Sequence, residues 1–254
     1  MFTHNINPVL ASLGPFEIRY YGIFFVLSFI IAYFLLNYLA KRKKINLTKD
    51  DVSDLLVRTI IGIILGARLA YVFVYNPTFY LQNPYEIIAI WHGGLSFHGG
   101  LIGAAIAGYY FCKKKKINFY TLADIAVIPL ALGLALGRLG NFTNGELYGR
   151  VTNLPWAVKF QDAEGFRHPS QLYESLKNLM IFSVLWLIKD KSLPKGFMFW
   201  LFVSMYSALR FTVEFFREPD AQLGFVLGFL SMGQLLSIIM FAVGIFFLYK
   251  VSKK

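Results

Sequence analysis

The sequence predicts an all-α fold: a polytopic membrane helix bundle of seven transmembrane helices, with the N-terminus outside and the C-terminus cytoplasmic. Three observations predict it. Of 254 residues, 57% are hydrophobic and 15% charged, and the mean hydropathy is +0.55; a soluble domain of this length carries far more charge. Seven apolar stretches are long enough, or nearly so, to cross a hydrocarbon core, which takes about 20 residues of helix. Clusters of lysine and arginine follow every odd-numbered stretch.

The first stretch, 18–40, is closed by Lys41, Arg42, Lys43 and Lys44. Positive loops stay in the cytoplasm, so this span runs inward. The second, 52–74, returns outward to a loop, 75–94, without a basic run. The third, 95–112, ends on Lys113 to Lys116, and the fourth, 122–142, leads out to the longest non-spanning piece, 143–170. The fifth, 171–188, is followed by Lys189, Lys191 and Lys195; the sixth, 196–216, returns outward; the seventh, 229–249, ends on Lys250, Lys253 and Lys254. No repeat, low-complexity tract or soluble domain interrupts the pattern, so residues 1–254 read as one membrane domain with a periplasmic segment around 143–170.

Composition excludes other classes. A formal charge of +11 in so apolar a chain marks cytoplasmic loops and contacts with anionic lipid headgroups, not nucleic acid. The single cysteine, Cys112, allows no internal disulfide and no cysteine-rich metal site. The first twenty residues hold His4, Glu17 and Arg19 among apolar residues, without a basic segment followed by a small-residue cleavage site, and do not read as a removable signal. Gly62 with Gly66, Gly99 with Gly103, and Gly133 with Gly137 are small-xxx-small pairs, expected to serve close helix packing.

Ionisable groups inside a membrane cost several kcal/mol unless paired or wet, so their depth is informative. The predicted directions put Arg68 and Arg138 in the outer halves of spans two and four. Tyr206, Arg210, Glu214 and Arg217 lie towards the outer end of span six, and Tyr21 and His98 at the outer ends of spans one and three. These groups are expected to share one level. Tyr206, Arg210, Glu214 and Arg217 are spaced four, four and three apart and so share a helix face; Arg138 and Asn141 are three apart. Arginines aimed at one small volume, with few acids to neutralise them, suit a phosphate diester, because guanidinium is permanently charged and offers paired donors. Taken singly, each arginine fits a structural ion pair with Glu146, Glu174 or Glu214, or passive lipid binding, equally well; the set favours a site. His98 could accept a proton from a thiol or hydroxyl, although a lone histidine at a helix end is more often structural. His92 reads as a loop residue and His168 as part of the start of span five. Cys112 lies at the wrong depth to serve an outer-leaflet site.

The run Gly137-Arg138-Leu139-Gly140-Asn141-Phe142-Thr143-Asn144-Gly145-Glu146-Leu147-Tyr148-Gly149-Arg150 resembles the signature of the phosphatidylglycerol–prolipoprotein diacylglyceryl transferases. The resemblance spans nearly the whole chain. It includes Arg19-Tyr20-Tyr21-Gly22, the run from His92 to Gly100, His168-Pro169-Ser170-Gln171-Leu172-Tyr173-Glu174, Arg210 with the run from Val213 to Gln222, and Ser231-Met232-Gly233-Gln234. Thr143 and Tyr148 depart from the larger apolar residues expected there.

The resemblance implies an enzyme of the bacterial inner membrane, its active site towards the periplasmic leaflet. Its partners would be phosphatidylglycerol and the lipobox cysteine of a prolipoprotein; it would need no cofactor and no metal, and no nucleic acid would be involved. The reaction implied moves the diacylglyceryl group onto the cysteine thiol, forms a thioether and releases sn-glycerol 1-phosphate. Carried over position by position, His98, Arg210, Tyr21 and Tyr206 look catalytic. Arg138, with Asn141, Glu146, Gly149 and Arg217, looks like the phospholipid site. Two rivals rank lower: a transporter or scramblase for an anionic substrate, which should show repeats and a midplane site, and a structural subunit, which leaves the arginines unexplained.

Overall fold

A computed structural model describes residues 1–14, 16–218, 225–226 and 230–253. Of the residues in the resemblance, Pro219, Asp220, Ala221 and Gln222 lie outside this set. In chain order the elements are β1 (Phe2–Thr3), β2 (Val9–Leu13), β3 (Phe16–Arg19), α1 (Tyr20–Arg42), α2 (Lys49–Ala70), α3 (Pro77–Gln82), α4 (Phe97–Lys115), α5 (Phe119–Thr143), β4 (Val158–Lys159), α6 (Ser170–Ile188), α7 (Phe197–Glu214), β5 (Phe225–Val226), β6 (Leu230–Ser231) and α8 (Met232–Ser252). A π-helical turn, Tyr71–Tyr75, continues α2.

The protein is mostly helical. Each of the seven apolar stretches holds one long helix, and four segments are long and apolar enough to cross a membrane: Tyr20–Arg42, Lys49–Tyr75, Phe119–Thr143 and Met232–Ser252. The other long helices dilute their apolar surface, α4 with glycines and a lysine run, α6 and α7 with charged side chains that are turned inward. The all-α expectation is corrected in one respect. Among the described residues six short strands pair two by two, β1 with β4, β2 with β3 and β5 with β6; the first three precede α1 and the others lie in the segments between α5 and α6 and between α7 and α8.

The chain divides into two compact units, 1–35 with 123–254, and 36–122. In the second unit α2 and α4 pack along a glycine seam. A Cβ on Gly103 would run into the carbonyl oxygen of Gly62, one on Gly99 into that of Gly66, and one on Gly62 would stand 2.6 Å from the Gly103 oxygen. Two of the three expected glycine pairs thus bring backbones together, as lipid-embedded helices require where burial gives little drive to associate. α2 starts on a capping box, Thr48 accepting from the Asp51 amide while Asp51 accepts from the Thr48 amide, and Asp51 pairs with Lys115 at the far end of α4.

In the first unit α7 packs on both α6 and α8. Asp124 of α5 accepts from the amides of Gly196 (2.6 Å) and Phe199 (2.9 Å), filling two of the orphan donors at the start of α7 from another helix. α8 begins on Ser231, whose hydroxyl accepts from the Gln234 amide while Gln234 returns the bond to the Ser231 amide. Gly133 meets Ser28 of α1 in ordinary contact, but nothing lies within 4 Å of a Cβ built on Gly137. The third glycine pair therefore packs at one member, and Gly137 borders open space beside Arg138.

Candidate active site

Glu174 is the hub of the charged interior. It sits one turn into α6 with its side chain 1% exposed, and three cations converge on it. Lys177, one helical turn on, reaches its Oε2 at 2.7 Å; Arg210 of α7 reaches Oε1 at 2.5 Å; Arg138 of α5 approaches Oε2 at 3.7 Å. Arg210 spends its other nitrogen on Glu214 at 2.6 Å, and Arg217 meets the same carboxylate at 3.3 Å. One guanidinium thus ties two carboxylates on two helices, which its planar fork allows and a lysine would not. Glu214 also accepts from the Ser231 hydroxyl at 2.9 Å, binding the start of α8 into the network. The Tyr206 ring lies under the Lys177 ammonium, 4.1 Å from its centroid, a cation–π contact in a desolvated setting.

The expected polar wall of α7 is therefore present, and so are the structural ion pairs weighed against it. Four cations surround two carboxylates, which leaves an excess of positive charge. That excess is not evenly spread. Arg210 and Lys177 are committed to short contacts, whereas Arg138 is beyond hydrogen-bond range of Glu174 and keeps 24% of its side-chain surface open.

Around Arg138 the signature residues build a turn. Asn141 donates to Glu146 Oε1 at 2.8 Å, Asn144 reaches the same oxygen at 3.3 Å, and Gln171 donates to the Glu146 carbonyl at 2.6 Å. Gly149 is structural: its amide donates to His168 O at 2.9 Å, and a Cβ there would collide with the Phe216 carbonyl and come within 2.8 Å of His168 Cβ. Tyr21, on the first turn of α1, lies against Gly140, where a Cβ would meet its ring at 2.8 Å. A residue that sequence reasoning missed, His4, is buried and hydrogen-bonds the Phe142 carbonyl at 2.7 Å, serving an orphan acceptor at the end of α5. Lys177 was also missed as a site residue; its one sequence signal is a glutamate three residues earlier on an otherwise apolar helix.

His168 stands just before α6. Trp156 donates its indole N–H to the Tyr173 hydroxyl at 2.7 Å, and that hydroxyl lies 3.1 Å from His168 Nδ1. Accepting from Trp156, the hydroxyl can turn its own proton to Nδ1, an arrangement that suits a neutral imidazole with its proton on Nε2. Burial pushes the His168 imidazole below its ordinary value of 6.5. A histidine with a lowered folded pKa leaves stability intact above the unfolded value and costs stability as pH falls below it, because the unfolded chain takes up the proton first. The melting temperature is accordingly expected to drop between pH 7.5 and pH 5.5, with a smaller drop in His168→Gln; identical pH slopes in the two proteins would remove this assignment.

In the second unit, His98 is on the first turn of α4, exposed, edge-on to Phe97. Arg68, expected on the shared polar level and left out of the predicted site, serves the backbone. Its guanidinium is buried, and its five N–H donors go to backbone carbonyls, those of Glu86, Ile87, Ala89, Gly93 and Gly94. Gly94, at φ +73°, makes room for it, since a Cβ there would be 2.9 Å from Arg68 Nη1.

Helices apolar enough to cross a bilayer, together with a cluster of four cations around two buried carboxylates, define a multi-helix membrane protein with a charged interior. The chain belongs to the prolipoprotein diacylglyceryl transferase family, whose model matches residues 8–250. It is 49% identical over 255 residues to the phosphatidylglycerol–prolipoprotein diacylglyceryl transferase of Geobacter sulfurreducens, covering 100% of this chain and 98% of that one. The enzymes of the same name from Bordetella avium (46% over 243 residues, 94% and 92% covered) and Rickettsia canadensis (44% over 249 residues, 96% of each) are similar over comparable lengths.

Proposed function

We propose that this protein transfers the diacylglyceryl group of phosphatidylglycerol to the lipobox cysteine thiol of a prolipoprotein, the first step of lipoprotein maturation. Full-length similarity to enzymes named for that reaction supports the assignment. The geometric observation that carries it is Arg138, a cation bordered by open space at Gly137 in a cluster whose other cations are engaged. A phosphate diester brings the negative charge that this excess calls for.

The roles follow from the chemistry of the groups. A thiol near pKa 8.5 is mostly protonated at neutral pH, so either His98 as a base or the field of the arginines must favour the thiolate. The thiolate sulfur forms a bond to the glycerol carbon bearing the phosphate. The carbon–oxygen bond to that phosphate breaks, its electron pair leaves with the phosphate oxygen, and sn-glycerol 1-phosphate departs. Arg138 and Arg210, with Arg217, stabilise the charge that collects on the departing group; Tyr21 and Tyr206 border it, and Asn141 and Glu146 hold the turn that closes α5, the helix carrying Arg138. The basic clusters support seven spans with the N-terminus outside and the C-terminus cytoplasmic, in a bacterial inner membrane, with the site towards the periplasmic leaflet.

The test is transfer of labelled diacylglyceryl from phosphatidylglycerol to a lipobox peptide by the purified protein, with Arg138→Ala and His98→Gln compared after each is shown to fold. Wild-type transfer is expected, with a loss of about 100-fold or more in Arg138→Ala, the size seen when a group stabilising developing charge is removed. Folded wild-type protein that is inert with every anionic lipid would overturn the assignment, and flux of an anionic substrate would become the assay.

A further inference from the structure

The segment between Asn76 and Ser96 is built inside out for a loop in water. It contains α3 and two 3₁₀ turns, Pro84–Ile87 and Ile90–His92. Several of its outward side chains are large and apolar or aromatic, beside the polar Gln82, Asn83 and His92: Leu81 is 84% exposed, Tyr85 87%, Ile88 73% and Trp91 74%. Its one carboxylate, that of Glu86, lies 2.8 Å from the His92 ring nitrogen, within the segment. Its backbone carbonyls turn inward onto Arg68, which spends its Nε on Ile87, one Nη on Gly93 and Gly94, and the other on Glu86 and Ala89. The Arg68 guanidinium further lies over the buried Tyr80 ring at 5.1 Å. A loop facing water has no need of this, because water serves its carbonyls; irregular backbone at membrane depth must be served by protein.

We propose that residues 77–92 are seated in the lipid bilayer at its interface, with Arg68 substituting for water on the backbone and Leu81, Tyr85, Ile88 and Trp91 buried among headgroups and upper acyl chains. The occupant of this apolar surface is lipid, not a second protein, on grounds of continuity. The segment is joined by a single residue, Asn76, to the candidate span Lys49–Tyr75, whose own last turn exposes Phe73, Val74 and Tyr75, so large exposed apolar side chains at the end of the span are followed in the chain by those of the segment. Tyr and Trp are the side chains suited to that level, with an apolar ring and a polar edge. A patch of four such residues on a soluble face would be an aggregation hazard. This assigns Arg68 a positioning role for the segment and goes beyond the transfer reaction, on which it does not depend.

The experiment places nitroxide labels on Leu81→Cys, Tyr85→Cys and Ile88→Cys, each in full-length Cys112→Ser protein in phosphatidylglycerol-containing nanodiscs, with Lys114→Cys as the water-facing reference. Accessibility to oxygen, which concentrates in lipid, is compared with accessibility to a water-soluble nickel chelate. Oxygen is expected to dominate at the three segment positions and nickel at Lys114. Nickel dominating at the segment places it in water, and shielding from both reagents places it against protein; either result overturns the proposal. In Arg68→Lys, which keeps the charge but cannot span five carbonyls, nickel accessibility at position 85 is expected to rise several-fold, and an unchanged value would overturn the role of Arg68. Should that variant not fold, the labels in the protein retaining Arg68 still decide the location.

Discussion

Glu174→Gln is expected to lower the melting temperature of the protein by roughly 6–12 °C, the equivalent of about 3–5 kcal/mol for a chain of this size. The size of the effect comes from what the substitution leaves behind. Glu174 is the carboxylate on which Lys177, Arg210 and Arg138 converge, and its side chain is 1% exposed. Removing its charge strands an ammonium that is 2% exposed with a tyrosine ring as its remaining neighbour described at close range. An unpaired buried charge is penalised far more than a pair is rewarded. The control is therefore the double variant Glu174→Gln with Lys177→Met, which removes one charge of each sign and is expected to recover at least half of the lost melting temperature. Thermal unfolding in detergent micelles checks both. Equal destabilisation in the single and double variants would show that the pair does not act as a unit.

Arg210→Lys is expected to cut transfer by about 100-fold or more while shifting the melting temperature less than Glu174→Gln does. Lysine keeps the charge, so the electrostatic sum of the cluster is unchanged. What it loses is the fork: Arg210 holds Glu174 with one nitrogen and Glu214 with the other, and an ammonium on a flexible stem binds as a point charge. With one carboxylate released, this guanidinium no longer ties α6 to α7, and the cations proposed to meet the departing phosphate lose the preorganisation on which this kind of stabilisation depends. Initial rates at saturating lipid separate the two effects. A lysine variant with near wild-type turnover would mean that charge alone suffices at this position.

The helices were legible in the sequence and the hub was not, for physical reasons. Apolar runs of some twenty residues have few alternatives to a helix, and each of the seven predicted stretches holds one. The wall on α7 was legible because Tyr206, Arg210, Glu214 and Arg217 are spaced for one face of a single helix. Glu174 was visible as a possible ion-pair partner, but its place at the meeting point of three helices depends on tertiary packing that no local period records. The role of Arg68 was not legible because its partners are backbone carbonyls, which every residue possesses and no sequence advertises. Two motifs admit a sharper reading. Gly149 stands where a Cβ would strike the Phe216 carbonyl, and Ser231 with Gln234 forms the capping box of α8 while Ser231 also donates to Glu214. Part of what identifies the family is thus scaffold that holds the charges in place.

The glycine seam between α2 and α4 also sets an order of events in biosynthesis. While the ribosome makes residues 71–115, an interval of roughly 2–9 s at usual elongation rates, α2 has no partner for the stripe carrying Gly62 and Gly66. Over the first part of that interval Arg68 waits for the carbonyls at 86–94. The nascent chain therefore holds an unserved guanidinium until that segment is made and a half-built interface until α4 follows, and substitutions along this seam should be felt first by the insertion and quality-control machinery, as lowered yield, before any change shows in turnover.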